Sequence, residues 1–220
     1  MMAPAPRHTS RAERGRGAPD TSLPAGARAK LDAYLDLLAK WNRVYNLTAI
    51  RDRHKMESHH VADALAVLPH LPGAAGLRLL DVGAGGGVPG VPIAIAQPGW
   101  QVVLVEANGK KASFLTQAAI ELGLRNVTVA ASRIEDYAGD APFDVVISRA
   151  FADLATFASL ARAHVSTHGV IVAMKGALPE DEIAALPPGI VVTATPALAV
   201  PGVDAERHLV IMRATRKEET

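Results

Sequence analysis

The residues with the most chemistry to offer are charges that close apolar runs: Asp81, Glu106, Arg149 and Lys175. Charged groups at the ends of buried strands are poor core material, so a ligand-facing role is expected of each. Asp81 opens the stretch Asp81-Val82-Gly83-Ala84-Gly85-Gly86-Gly87-Val88-Pro89-Gly90. Glycines at Gly83, Gly85 and Gly87 let the backbone approach a ligand closely. Two registers of the dinucleotide fingerprint come near: Gly83-x-Gly85 has Val88 where a third small residue belongs, while Gly85-x-Gly87-x-x-Gly90 fits. Asp81 separates the ligands. Its charge points where a pyrophosphate would lie, and phosphate sites want N–H donors and cations. S-adenosylmethionine (AdoMet) has no phosphate and carries an ammonium and a sulfonium. Asp81 suits that ammonium, or a water beside it, so AdoMet is preferred to a dinucleotide.

Glu106 ends the next apolar run, Gln101 to Val105, where a carboxylate binds a ribose diol. After the third run, Ser132-Arg133-Ile134-Glu135-Asp136 lies where an adenine would rest, Ile134 giving an apolar face and Glu135 or the backbone reading the polar edge. Arg149 is ligand-facing or, structurally, a partner of Asp81 or Glu135. Basic residues gather in loops: Arg51, Arg53, His54 and Lys55; Lys110 and Lys111; Arg207 and His208. If they share an edge with Arg149 and Lys175, they form a footprint for RNA phosphates. His54, His59 and His60 match no zinc pattern, and no metal is expected. His60 and Asp63, three apart on one helix, read as a hydrogen-bonded structural pair. There is no GKS/GKT phosphate loop, no nucleophile elbow, and no Asn/Asp-Pro-Pro-aromatic motif after Ile147-Ser148.

These residues need a scaffold. Leu77–Val82 reads as a buried parallel strand, and Pro89, Val91, Ile93 and Ile95 as the first turns of a helix with proline at its first position. Further strands are expected at Gln101–Val105, Asn126–Ala130, Phe143–Ser148 and Gly169–Met174, alternating with helices at Gly109–Leu122, Asp153–His164 and Pro179–Leu186. Two last strands, Ile190–Ala194 and His208–Arg213, lack an intervening helix and predict an antiparallel pair at one edge. Upstream, Leu31, Tyr34, Leu35, Leu38 and Trp41 mark one face of a helix, and a second runs near Arg53 to Leu68 with Met56, Val61, Leu65 and Leu68 inward. The whole predicts an α/β, Rossmann-like, mostly parallel seven-stranded sheet with an antiparallel edge strand. Residues 22–75 form an N-terminal helical cap, and 76–214 the AdoMet-binding core of one domain spanning 22–220.

A chain of 220 residues, 49% hydrophobic, can bury one full core. It has no apolar run of about eighteen residues and no secretory h-region, so neither a membrane span nor export is predicted. With no cysteine, disulfides, thiolate metal sites and cysteine nucleophiles are excluded, and a cytoplasmic setting fits. Net charge is +1. Residues 1–30 hold six basic residues against Glu13 and Asp20, a local +4 that leaves −3 for the rest. Residues 1–21, rich in Pro, Ala, Gly and Arg, read as a disordered basic tail.

Together these stretches resemble the RsmG (GidB) family of bacterial small-subunit rRNA guanine-N7 methyltransferases. The resemblance rests on Trp41-Asn42, Tyr45-Asn46-Leu47-Thr48, His60-x-x-Asp63, the Asp81–Gly90 loop, Phe143 to Phe151, Lys175-Gly176 and Glu206-Arg207-His208-Leu209-Val210. It implies a class I AdoMet-dependent methyltransferase whose Gly83, Val88, Ile134, Glu135 and Arg149 contact AdoMet. The implied substrate is a guanine in the decoding-region loop of 16S rRNA, guanine 527 in the family's usual rRNA numbering, free or within the 30S subunit or an assembly intermediate. Gly86 stands where a proline is frequent in the family, and Glu106 where an aspartate is. A monomer is expected, with Arg51, Arg53, Lys110, Lys111, Lys175, Arg207 and His208 toward RNA and Arg149 as a positioning residue without a general base. Two rivals differ in what they bind: a nicotinamide-dependent oxidoreductase would ignore AdoMet, and a non-catalytic RNA-binding module would not need it.

Overall fold

The computed structural model describes residues 23–139, 141–149, 151 and 153–215; the basic tail predicted over 1–21 lies outside them. In chain order the elements are α1 (Ala27–Tyr45), α2 (Arg53–Met56), a π-helical turn (Glu57–Ala62), α3 (Asp63–Leu65), β1 (Arg78–Val82), α4 (Gly90–Ala96), β2 (Gln101–Val105), α5 (Gly109–Glu121), β3 (Val127–Ala130), β4 (Phe143–Arg149), α6 (Leu154–Ala161), β5 (Val165–Lys175), α7 (Glu180–Ala184), β6 (Ile190–Ala194) and β7 (His208–Ala214). The seven strands form one sheet in the order β3-β2-β1-β4-β5-β7-β6. β1 to β5 are mutually parallel, and β7 runs antiparallel to both β5 and β6. The expected antiparallel pair is at the edge, with the reversed strand β7 one place in. Strand order reverses between β1 and β4, which leaves a crevice beyond their carboxyl ends.

Alternation along the strands sorts side chains into two cores. Leu79, Leu104, Val145, Ile147 and Val172 face α1, α4 and α5, while Leu80, Val103, Val105, Val146 and Ile171 face α6. Both faces are covered, which is why these strands read as unbroken apolar runs. The cap shares the first core: Leu31, Tyr34, Leu35 and Leu38 are buried in it, and Trp41 packs edge-on against Phe114 with centroids 5.6 Å apart. The helix expected near Arg53 to Leu68 is interrupted. Its middle widens into the π turn, and His60, Val61, Asp63 and Ala64 all lie in the interior.

One boundary differs from expectation in an informative way. Pro89 occupies the cap position of α4 and Gly90 is its first helical residue. The Gly90 N–H is therefore one of the donors a helix start leaves without a partner, and Asp81 Oδ2 accepts it at 2.8 Å. A Cβ on Gly90 would lie 2.3 Å from Leu104 Cδ2 and 2.7 Å from Asp81 Oδ2. Leu104 and Asp81 are both fully buried, so neither can give way. Gly90→Ala should destabilise the chain by about 1–3 kcal/mol, the usual cost of overpacking a tight core, read as a lower urea midpoint at unchanged slope.

Candidate functional site

The glycine loop bridges β1 and α4 in a shape side chains resist. Gly83, Gly85 and Gly87 have φ of 69°, 58° and 88°, the left-handed region that glycine enters without steric cost. The loop is tied to β2: the N–H groups of Gly83 and Ala84 both donate to Val105 O. Glu106 completes the tie, accepting Gly85 N–H on Oε2 and Asn108 N–H on Oε1, each at 2.8 Å. The carboxylate expected at a ribose is thus first a clamp between the loop and the start of α5. Each oxygen retains acceptor capacity for a second hydrogen bond. From the cap, the Tyr34 hydroxyl donates to Gly86 O at 2.6 Å.

Asp81 is not at the mouth of the loop, where sequence alone puts it. Its side chain shares the α4 face of the sheet with Leu79, so the carboxylate lies underneath, 0% exposed. Oδ2 holds Gly90 and Oδ1 has no hydrogen-bond partner. Burial raises its pKa to about 7, opposed by the Gly90 N–H and the positive charge of Arg149.

On the other side of the loop a cleft of about 190 Å³ is lined by Gly83, Glu106, Ser132, Ile134, Glu135 and Phe151, among others. Ile134 is 5% exposed and forms an apolar floor. The Ser132 hydroxyl is buried without a partner, a signal that the sequence does not single out within Ser132–Asp136. Larger hollows of about 320 and 410 Å³ open elsewhere, beside Val165 and Trp100, but no buried unpartnered side-chain atom lies among their lining residues. Of these three, the smaller cleft is the one that holds a buried hydroxyl without a partner. Val88 is buried at the end of the loop.

Arg149 ends β4 but turns toward the cap. It donates to His59 O at 2.9 Å and reaches Asp63 Oδ2 at 3.4 Å. Its structural partner is thus Asp63, and neither Asp81 nor Glu135. Arg207 meets the other oxygen of the same carboxylate, Nε to Oδ1 at 3.2 Å. The expected His60–Asp63 pair does not form. The His60 ring lies 2.9 Å from Thr48 Oγ1 through Nε2 and 2.9 Å from His59 O through Nδ1. Burial and the neighbouring Arg149 push its pKa down to about 4, so the ring is neutral.

Of the basic residues, Lys175 ends β5, His208 begins β7 opposite it, and Lys110 and Lys111 stand in the first turn of α5, with unequal freedom. Lys175 is paired to Glu182 at 2.7 Å, and His208 Nδ1 lies 2.9 Å from Gly176 O. Arg53 is bound to Asp32 and Asp36 on α1, which spends its charge inside the cap. Arg51 donates to the Asn46 side-chain oxygen at 3.2 Å, and Lys110 and Lys111 open α5 behind the Asn108 cap. Among the described residues no cluster of three or more His, Asp or Glu could hold a metal, and no helix is long and apolar enough to cross a membrane.

A parallel sheet with β7 reversed, a glycine loop after β1 and an acid after β2 define the class I AdoMet-methyltransferase fold. The glycopeptide N-methyltransferase MtfA, solved in complex with (S)-adenosyl-L-methionine, shares it at a TM-score of 0.60 with 14% identity, over 70% of this chain and 93% of that one. Sequence narrows the class. The profile of the GidB family, rRNA small subunit methyltransferase G, matches residues 27–210. Ribosomal RNA small subunit methyltransferase G of Laribacter hongkongensis is 51% identical over 86% of this chain and 90% of its own length. That of Chromobacterium violaceum is 52% identical over 83% and 86%. The chain belongs to the rRNA small subunit methyltransferase G family.

Asp81 yields a pH prediction. Its carboxyl, ordinarily near 3.8, is held up to about 7 when folded, so the native state keeps a proton that the unfolded state loses. Native stability contributed by this group is full below about pH 4 and is lost as pH rises toward 7. Asp81→Asn keeps an acceptor for Gly90 and has no proton to lose. Its stability relative to wild type should therefore improve between pH 5 and pH 8 in urea unfolding; a constant difference would mean that Asp81 is charged throughout.

Proposed function

We propose that this chain transfers a methyl group from AdoMet to N7 of a guanine in the decoding-region loop of 16S rRNA. The observation that carries the reading, beside family membership, is the pair of buried unpartnered polar atoms flanking the glycine loop, Asp81 Oδ1 and Ser132 Oγ. They are what a cationic nucleoside needs: an acid beneath the loop that a cation above it would ionise, and a hydrogen-bonding hydroxyl beside the apolar floor. The residues present therefore fit AdoMet, which supplies, when bound, an electrophilic methyl on a positively charged sulfur.

Ile134 offers its side chain to the flat face of the adenine, and Ser132 and Glu135 its polar edge. Glu106 accepts from the ribose hydroxyls through its remaining lone pairs, already oriented by Gly85 and Asn108. Gly83, Gly85, Gly87 and Val88 let main chain approach the methionine part, and Asp81 stabilises positive charge from below. Arg149 acts through position: by gripping His59 and Asp63 it fixes the cap against the mouth of the crevice.

Guanine N7 carries an in-plane lone pair and no proton, so the attack needs no general base. Among the described residues His60 is the histidine buried in the interior, and it is neutral and bonded to Thr48. Holding N7 in line with the methyl–sulfur bond can contribute about 7–11 kcal/mol of the barrier. N7 is within reach where loop bases are unstacked, the form of RNA that proteins read by sequence.

Radiolabelled AdoMet incubated with 16S rRNA or 30S subunits from cells lacking this protein should label one loop guanine, and alkaline strand scission should map it as N7-methylated. Label on another base or on protein would refute the reading. AdoMet affinity should also rise from pH 6 to pH 8, because a cation above the loop favours the ionised form of Asp81. The slope should flatten in Asp81→Asn, as calorimetry at three pH values can test.

A further inference from the structure

The last turn of α1 exposes side chains that a helix end does not require. Val44 is 69% exposed and Tyr45 40%, both large and apolar, at a point where the chain could have turned with polar residues. Tyr45 is not loose. Its ring lies 5.3 Å from Trp41, and Trp41 stands 5.6 Å edge-on from the fully buried Phe114. The three rings form a ladder from the core to the surface, with Tyr45 as its outer rung.

The two segments that meet at that rung carry charge of one sign. No acidic residue occurs between Asp36 and Asp52, or between Glu106 and Glu121, while these two segments carry Lys40, Arg43, Arg51, Lys110 and Lys111. The segments meet at Tyr45, where the Lys110 ammonium lies 5.9 Å from the ring centroid. Both also border the crevice. Leu47 O is 3.5 Å from where a Cβ on Gly86 would stand, and Asn108, the cap of α5, is bonded to Glu106. An aromatic face packed on Trp41 beside the glycine loop, with a cation at its ring and no carboxylate within either flanking segment, matches a single-stranded nucleic acid: π-surface for a base and positive charge for its phosphates.

We infer that Tyr45 is a stacking platform for an unpaired rRNA base next to the target guanine, with Arg43, Arg51 and Lys110 on the flanking phosphates. This rests on the rRNA reading above and assigns it a contact that charge alone does not specify. Lys110 sits near the outer limit of a cation–π contact and is exposed, so it is free to leave the ring for a phosphate as the base takes its place. The ladder beneath Tyr45 keeps the ordering cost of the stack low, since the ring is already fixed.

The test is rRNA binding and methylation by the full chain, with Tyr45→Ala, Tyr45→Phe and Lys110→Ala compared over a salt series. Tyr45→Ala should weaken rRNA binding about 5- to 150-fold, the loss of one base stack, with AdoMet affinity and the salt slope unchanged. Tyr45→Phe should restore binding to near wild type, because stacking needs the ring and not the hydroxyl. Lys110→Ala should lower the salt slope by about 0.7, one phosphate contact on a single strand. If Tyr45→Ala binds rRNA within twofold of wild type while Lys110→Ala keeps its salt effect, the platform is refuted and the rRNA reading stands. A wild-type chain that binds no rRNA overturns both, and that result is distinct from the first.

Discussion

A carboxylate closed off from water governs this site. Asp81 accepts the Gly90 N–H from below, and that bond sets where the glycine loop ends and α4 begins. Unpaired, the same donor would cost about 1–3 kcal/mol in a buried setting. The arrangement is mutual: Gly90 must lack a Cβ for Asp81 to come this near, and Leu104 closes the remaining space. Loop geometry, helix start and the charge beneath the crevice are thereby one feature. It leaves a buried acid with a pKa near 7, responsive to any cation seated above it.

A second set of polar contacts joins the cap to the strand ends. Asp63, from the cap, takes Arg149 on one oxygen and Arg207 on the other, and so links the ends of β4 and β7 through one carboxylate. Tyr34 reaches the loop itself through Gly86 O. A buried carboxylate is a weak contributor to net stability because desolvation opposes its attraction, but removing one partner of such a group is strongly destabilising. What these contacts supply is a fixed relation between cap and crevice. Neutral His60, bonded on both ring nitrogens, adds no charge to a region already rich in guanidinium.

The cations divide by what they already hold. Lys175, Arg207 and Arg53 sit in ion pairs that shape the scaffold, whereas Arg51 and Lys110 are exposed to solvent. The chain as a whole is close to neutral.

Much of this was legible in the sequence. Apolar runs, glycine spacing and helical periodicity are local properties, so strand and helix order, the loop and the family-specific stretches could be read directly from the residues. Tertiary structure alone decided where the polar groups point. A strand apolar on both faces carries no mark of which face a helix will cover, so nothing in Leu79–Val82 says that Asp81 turns under the loop and not toward the mouth. Likewise Arg149 finds Asp63 across 86 residues of chain, and Tyr45 meets Lys110 only because α1 and α5 lie side by side. Such pairings depend on how layers stack, and local sequence does not encode that stacking.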